Sequence, residues 1–176
     1  LGIIGLGAIG RYLASIAGAL GMRCIAYDPY VSEDISNSTL VRLEDLLRES
    51  DFISIHVPLT METKGLFGEV QLDLMKPSAY LLNLSDAAIV EENALVAALR
   101  GHRIAGAALD VFETHPITPH SPLLSLENVV LTPHLGGATE ETIERHSQMM
   151  VDDIQRFLMG KRPNNLINVE AWGSRG

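Results

Sequence analysis

Cysteine is all but missing: Cys24 stands alone in 176 residues, so no internal disulfide can hold this chain together. A single thiol suits a reducing compartment, and the expected location is cytoplasmic. Long apolar runs are also absent. The longest is about a strand in length, far below the 18 or more residues of a membrane span, and no secretory signal is visible. Positive charge is in short supply. Lys+Arg 13 against Asp+Glu 22 leaves a net charge of −9 with no basic run, which argues against a nucleic-acid partner. There is no internal repeat, no low-complexity tract and no hairpin dipeptide such as Asn-Gly. Nor is there an initiator Met: the chain opens at Leu1 inside an apolar run, as a segment of a longer protein would.

Apolar residues make up 47% and charged residues 20%, enough to bury a core and too apolar for disorder. Short apolar runs alternate with helical patterns. Strands are expected at 1–4, 22–27, 51–57, 79–84, 104–109 and 129–131. Helices are expected from the glycine-rich stretch to about Leu20, over Leu43 to Glu49, Glu69 to Met75 and Glu92 to Leu99, and from about Thr139 to Met159. Proline or glycine punctuates most of these runs, with a polar loop reaching to about Asn37. Strands with few polar positions imply a parallel sheet buried on both faces. The fold class is therefore α/β: a Rossmann-type doubly wound parallel sheet with helices on both faces, its ligands at the carboxyl ends of the strands.

Gly5-Leu6-Gly7-Ala8-Ile9-Gly10 follows a strand and opens a helix, the context a dinucleotide fingerprint requires. Gly5 permits a tight turn, Gly7 lets a pyrophosphate approach backbone N–H groups, and Gly10 allows close helix–sheet packing. Asp28 ends the second strand 18 residues past Gly10, where an acid binds ribose hydroxyls. Its charge would repel a 2′-phosphate, so NAD is the expected cofactor rather than NADP. A flavin or another nucleotide can use the same fingerprint. Arg11 directly follows it, as a solvated or phosphate-side group.

The six histidines differ in setting. His102 adjoins a glycine stop and reads as surface; His146 lies within the last helix and reads as structural. His56 ends a strand before Pro58 and can line the cofactor cleft. His115 and His120 lie in a proline-rich loop. His134 follows a strand and leads into Gly136-Gly137-Ala138-Thr139 at a helix start, which makes it the acid/base candidate; an ordinary loop histidine is the competing reading. Zinc on His115, His120 and His134 would lack both a cysteine and a helical ligand pair, so no metal is expected.

These motifs together resemble the nucleotide-binding domain of the D-isomer-specific 2-hydroxyacid dehydrogenases, the group containing D-3-phosphoglycerate dehydrogenase. The likeness runs from Leu1 to about Val169. It rests on the glycine motif at 5–10, Tyr-Asp-Pro at 27–29, and His-Val-Pro-Leu-Thr at 56–60 with Thr63. Leu-Leu-Asn-Leu-Ser at 81–85, the Val-x-Glu-x-x-Leu pattern around 90–95, Ala-Leu-Asp-Val-Phe-Glu at 108–113 and Thr-Pro-His-Leu-Gly-Gly-Ala-Thr at 132–139 complete it. The resemblance implies an NAD domain over 1–169 and a tail, 170–176, leading to a separate substrate domain. It implies backbone contacts to the cofactor at Ala8 and Ile9, ribose at Asp28, and further cofactor contacts that include Pro58, Thr63, Leu84, Ser85 and Asp86. Asp110 would meet the nicotinamide carboxamide, with Gly136 and Gly137 nearby. His134 falls on the catalytic histidine, a small 2-hydroxy or 2-oxo acid would be the substrate, and a homodimer is implied.

Two positions depart from the family pattern. Asp86 and Ala87 stand where an arginine that clamps the substrate carboxylate and a glycine are expected. His115 precedes Pro116 where a glutamate orients and charges the catalytic histidine; Glu113 is two residues early, although a shifted loop could bring it in. Two readings follow. One is an NAD-dependent oxidoreductase represented by its cofactor domain. The other is a catalytically impaired NAD(H)-binding module with a regulatory or assembly role.

Overall fold

In the computed structural model, residues 1–33 and 37–173 are described. The loop expected up to Asn37 falls partly, and the end of the expected tail wholly, outside them. Seven strands, β1 (Gly2–Ile4), β2 (Ile25–Tyr27), β3 (Thr39–Leu40), β4 (Phe52–Ile55), β5 (Tyr80–Asn83), β6 (Gly106–Leu109) and β7 (Val129–Leu131), form one sheet in the order β3-β2-β1-β4-β5-β6-β7. Every pairing is parallel. The helices are α1 (Ala8–Ala19), α2 (Leu43–Glu49), α3 (Glu69–Leu74), α4 (Glu92–Arg100), α5 (Glu140–Leu158) and α6 (Val169–Gly173). The chain divides into two compact units, Leu1–His134 and Leu135–Gly176. The first holds the whole sheet with α1 to α4; the second holds α5 and α6.

The register explains the two faces. Ile3 pairs with Ala26 and Ser54, whereas the next residue, Ile4, pairs with Tyr27 and Ile55. Successive side chains point to opposite faces, so Ile3 and Ala26 pack with Leu6 and Ala14 of the α1 side in one cluster. Ile4, Ile25, Ile53, Ile55 and Leu81 join Leu46, Leu72 and Leu95 of α2, α3 and α4 in the larger one. The expectation of burial on both faces holds on the α2–α4 side. On the other it needs correction: burial fades along the paired row Ile3, Ser54, Leu82, Ala108, Val130, from 0% exposed at Ile3 to 63% at Val130. Phe52 and Tyr80 stack there at 5.4 Å while more than 40% exposed.

The elements fall where periodicity places them, with shorter strands. Met22 lies past α1 and is tied back to its last turn, its N–H donating to the Ala17 carbonyl; pairing of the second strand starts where the Ile25 N–H meets the Leu1 carbonyl. The two-residue β3 has no apolar run to announce it. In the second unit Thr139 caps α5, accepting from the Thr142 N–H at 3.2 Å, and Gly160 ends it with φ +70°. No residue of α5 is buried, although Ile143, Met150, Ile154 and Phe157 share a stripe.

Candidate functional site

The sheet winds left from β1 to β3 and right from β4 to β7, so its switch point lies between β1 and β4, the place where ligands of such sheets bind. Gly5 leaves β1 with φ +93°, and any Cβ there would lie 2.6 Å from the His56 carbonyl oxygen. A Cβ on Gly10 would lie 2.0 Å from the Gly5 carbonyl oxygen, so the turn closes only with glycine at both ends. Gly7 is the reverse case: a Cβ there meets nothing within 4 Å, leaving its backbone open to a ligand.

Asp28, at the end of β2, faces this turn. Its Oδ2 accepts from the Leu6 N–H at 2.8 Å and its Oδ1 from the Tyr30 N–H at 2.9 Å. Carboxylate oxygens have further lone pairs, so the group is oriented and can still accept hydroxyl donors. Across the turn, the 58–63 loop is tied by Thr63, whose Oγ1 donates to the Pro58 carbonyl at 2.6 Å and accepts from the Thr60 N–H at 2.7 Å. Between these walls lies a cavity of about 290 Å³. Of the residues proposed from sequence, Gly5, Gly7, Asp28, Pro58 and Thr63 line it; Ala8, Ile9 and Gly10 open α1 beside it. Tyr30, Glu62 and Leu66 also line it and were missed; the Thr60-x-x-Thr63 spacing that shapes the loop was the available signal. His56 lines it too, its Nε2 2.8 Å from Ser54 Oγ, and burial holds its pKa below the ordinary value.

The remaining strand ends are stitched by polar pairs. Ser85 Oγ donates to the Ile55 carbonyl at 2.7 Å, and Asn83 Nδ2 to the Asp86 carbonyl at 2.8 Å. Asp86 accepts from the Ala88 N–H at 2.9 Å and caps a short 3-10 turn, Ala87–Ile89; Leu84 is exposed beside it. Asp110, 4% exposed, accepts from Thr132 Oγ1 at 2.5 Å. His134 follows β7 with φ +57°, a left-handed conformation unusual for a residue with a Cβ. Its ring lies 5.1 Å from that of His115, which in turn lies 6.0 Å from Phe112. Thus His115, and not Glu113, is the ring partner of His134. Glu113 acts instead on Glu92, whose carboxyl is raised first by burial and then by the Glu113 charge. Gly136 and Gly137 open the second unit. Among the described residues, no three His, Cys, Asp or Glu side chains are grouped to hold a metal, and no helix is long and apolar enough to cross a membrane.

A sheet of this winding, with a glycine turn, a strand-end acid and an open Gly7 backbone, defines a dinucleotide-binding domain. The model of the D-isomer specific 2-hydroxyacid dehydrogenase NAD binding domain matches residues 1–136, and the chain belongs to that family. Its cofactor is NAD. It is 49% identical to a glyoxylate reductase of Aeropyrum pernix over 97% of this chain and 52% of that protein. A D-3-phosphoglycerate dehydrogenase of Methanocaldococcus jannaschii is 40% identical over 96% of this chain and 33% of its own length. The NAD-complexed D-isomer specific 2-hydroxyacid dehydrogenase of Lactobacillus delbrueckii ssp. bulgaricus superimposes with a TM-score of 0.88 at 35% identity, covering 95% of this chain and 55% of that one. The chain thus spans about half the length of the glyoxylate reductase it matches.

Proposed function

We propose that the whole protein is an NAD-dependent oxidoreductase of the D-2-hydroxyacid type, with residues 1–169 as its cofactor domain and 170–176 leading to a substrate domain. The observation that carries this reading is His134, set at the carboxyl end of β7 on the same sheet edge as the Asp28 cavity. In this reading, the adenosine half of the cofactor occupies that cavity, with its pyrophosphate at the amides of Gly7, Ala8 and Ile9 and its ribose on Asp28. Asp110, fixed by Thr132, meets the carboxamide; Leu84, Ser85 and Asp86 complete the contacts. When bound, NAD would supply the hydride chemistry at the substrate carbon, and His134 would take up or supply the proton of the C2 hydroxyl. The relatives named glyoxylate reductase support a small 2-oxo acid as substrate. A cytoplasmic location suits the buried free Cys24, and a homodimer is expected, read out by sedimentation.

One observation favours the second reading, an NAD(H)-binding module without efficient turnover. Asp86 is anionic and bound to its own turn, so it repels a substrate carboxylate where a clamp is needed. The test uses the full-length protein, NADH and glyoxylate. Asp86→Arg with His115→Glu should raise reduction by orders of magnitude, and His134→Ala should abolish the gain. Turnover at typical enzyme rates before any substitution would discard the impaired reading. Cofactor binding with no turnover in either form would discard the oxidoreductase.

A further inference from the structure

A second cavity, of about 390 Å³, opens beside β7 and is larger than the one next to Asp28. Phe112 follows β6, Leu131 ends β7, and Ile117 and Leu124 come from the loop between those strands. Together with two prolines they give the cavity apolar walls. None of the described residues that line it is an acid, a lysine or an arginine. The hydroxyls nearby are turned to other work. Thr132 gives its proton to Asp110, and Ser121 Oγ accepts from the Leu123 N–H at 3.3 Å to cap the 3-10 turn Pro122–Ser125. Leu124 is 51% exposed, so apolar surface is left uncovered at this wall.

One residue joins this cavity to the acid/base candidate. His115 lines it, and the same ring faces that of His134 at 5.1 Å. Thr132 and Pro133, the two residues before His134, line it as well. The cavity therefore starts about one ring away from the group that exchanges the C2 hydroxyl proton. A hydrogen or a methyl on C2 falls short of it, whereas a branched or aromatic substituent reaches in. We propose that this cavity receives the side chain of the substrate, and that the preferred substrate is a 2-oxo acid with a branched aliphatic or aromatic side chain. This rests on the reading of His134 as the proton-exchanging residue and narrows the small 2-oxo acid of that reading to one class. A side chain ending in a carboxylate, phosphate or sulfonate would lose its water there and find no cation in return. Each methylene that the walls cover is worth roughly fourfold in affinity.

The test is calorimetry on the full-length protein saturated with oxidised NAD, which cannot reduce a 2-oxo acid, so that binding is read without turnover. 4-Methyl-2-oxopentanoate and phenylpyruvate should bind about tenfold or more tighter than glyoxylate, and oxaloacetate no tighter than glyoxylate. Leu124→Asn makes the exposed wall polar, and Leu124→Trp fills the cavity. Each should remove about fivefold or more of that gain while leaving glyoxylate within about twofold, which also shows that the variants are folded. Equal affinities for the four acids in the unmodified protein would overturn the proposal, as would equal losses for all of them in the variants. So would a change in thermal stability or assembly state with every affinity unchanged, which makes the cavity a seat for protein rather than for substrate. If glyoxylate binds and the longer acids gain nothing, the side-chain proposal falls and the reading of His134 stands. If NAD binds and no 2-oxo acid follows it, the oxidoreductase reading falls and takes the proposal with it.

Discussion

The left and right halves of the sheet's carboxyl edge are built from different materials. On the left, around β2, β1 and β4, the candidate site is mostly backbone: two glycines that admit no Cβ, one that leaves space, and amides already bonded to Asp28. On the right, around β5, β6 and β7, it is side chains: Asp86, the Asp110–Thr132 pair, and the facing rings of His115 and His134. Backbone amides survive most substitutions and need only the local shape, whereas a side-chain constellation changes its chemistry with one residue. Both departures from the family pattern, Asp86 and His115, lie on the right.

The sharpest way to break this contrast is Gly10→Ala. The new Cβ would sit 2.0 Å from the Gly5 carbonyl oxygen, so the turn must open. A forced shift of packed backbone costs about 1–3 kcal/mol or more; NADH binding should be lost, and chemical denaturation should show the destabilisation. If binding persists, the left half is more plastic than its geometry implies. Next comes cofactor choice. A 2′-phosphate about 4 Å from Asp28 would meet a repulsion on the order of 4 kcal/mol at an effective dielectric near 20, before salt reduces it. Calorimetry should therefore find NADPH at least tenfold weaker than NADH, with Asp28→Ala narrowing the gap. Equal affinities would remove Asp28 from the ribose.

On the right, Thr132→Val deletes the hydroxyl that reaches Asp110 and should cost about 1–3 kcal/mol of stability, since a buried carboxylate loses a donor. A neutral result in urea unfolding would make that pair dispensable. The smallest effect belongs to His56. Burial favours its neutral form in the folded chain, so the unfolded chain takes up the proton first as the pH falls. This group leaves stability unchanged above its ordinary pKa of about 6.5 and lowers it below that value. Unfolding curves at successive pH values should show that decline, and His56→Gln should flatten it.

The left half was the more legible in the sequence for the same reason. Glycine spacing and a strand-end acid are local patterns, and the turn from Gly5 to Gly10 follows from contiguous residues. The walls contributed by Tyr30, Glu62 and Leu66 depend on how separate loops meet, which spacing does not encode. On the right, the likeness to a family singled out His134, yet nothing local announces that a histidine 19 positions earlier would supply its ring neighbour. Asp86 carried a readable signal, an aspartate two residues before the amide it caps. Its departure from the family pattern drew attention to its charge instead. β3 escaped because Thr39 and Leu40 form a pairing too short for any period to appear.

The central place of β1 also governs how the protein comes into being. Of the seven strands β1 leaves the ribosome first, yet its neighbours are β2 and β4, and β4 ends at Ile55. No hairpin can satisfy it early, because every pairing is parallel. At about 5–20 residues per second, roughly 50 more residues mean a wait on the order of 3–10 s with one edge of β1 unpaired. For that interval the nascent chain exposes an apolar strand edge, the surface on which holding chaperones act and on which misassembly begins.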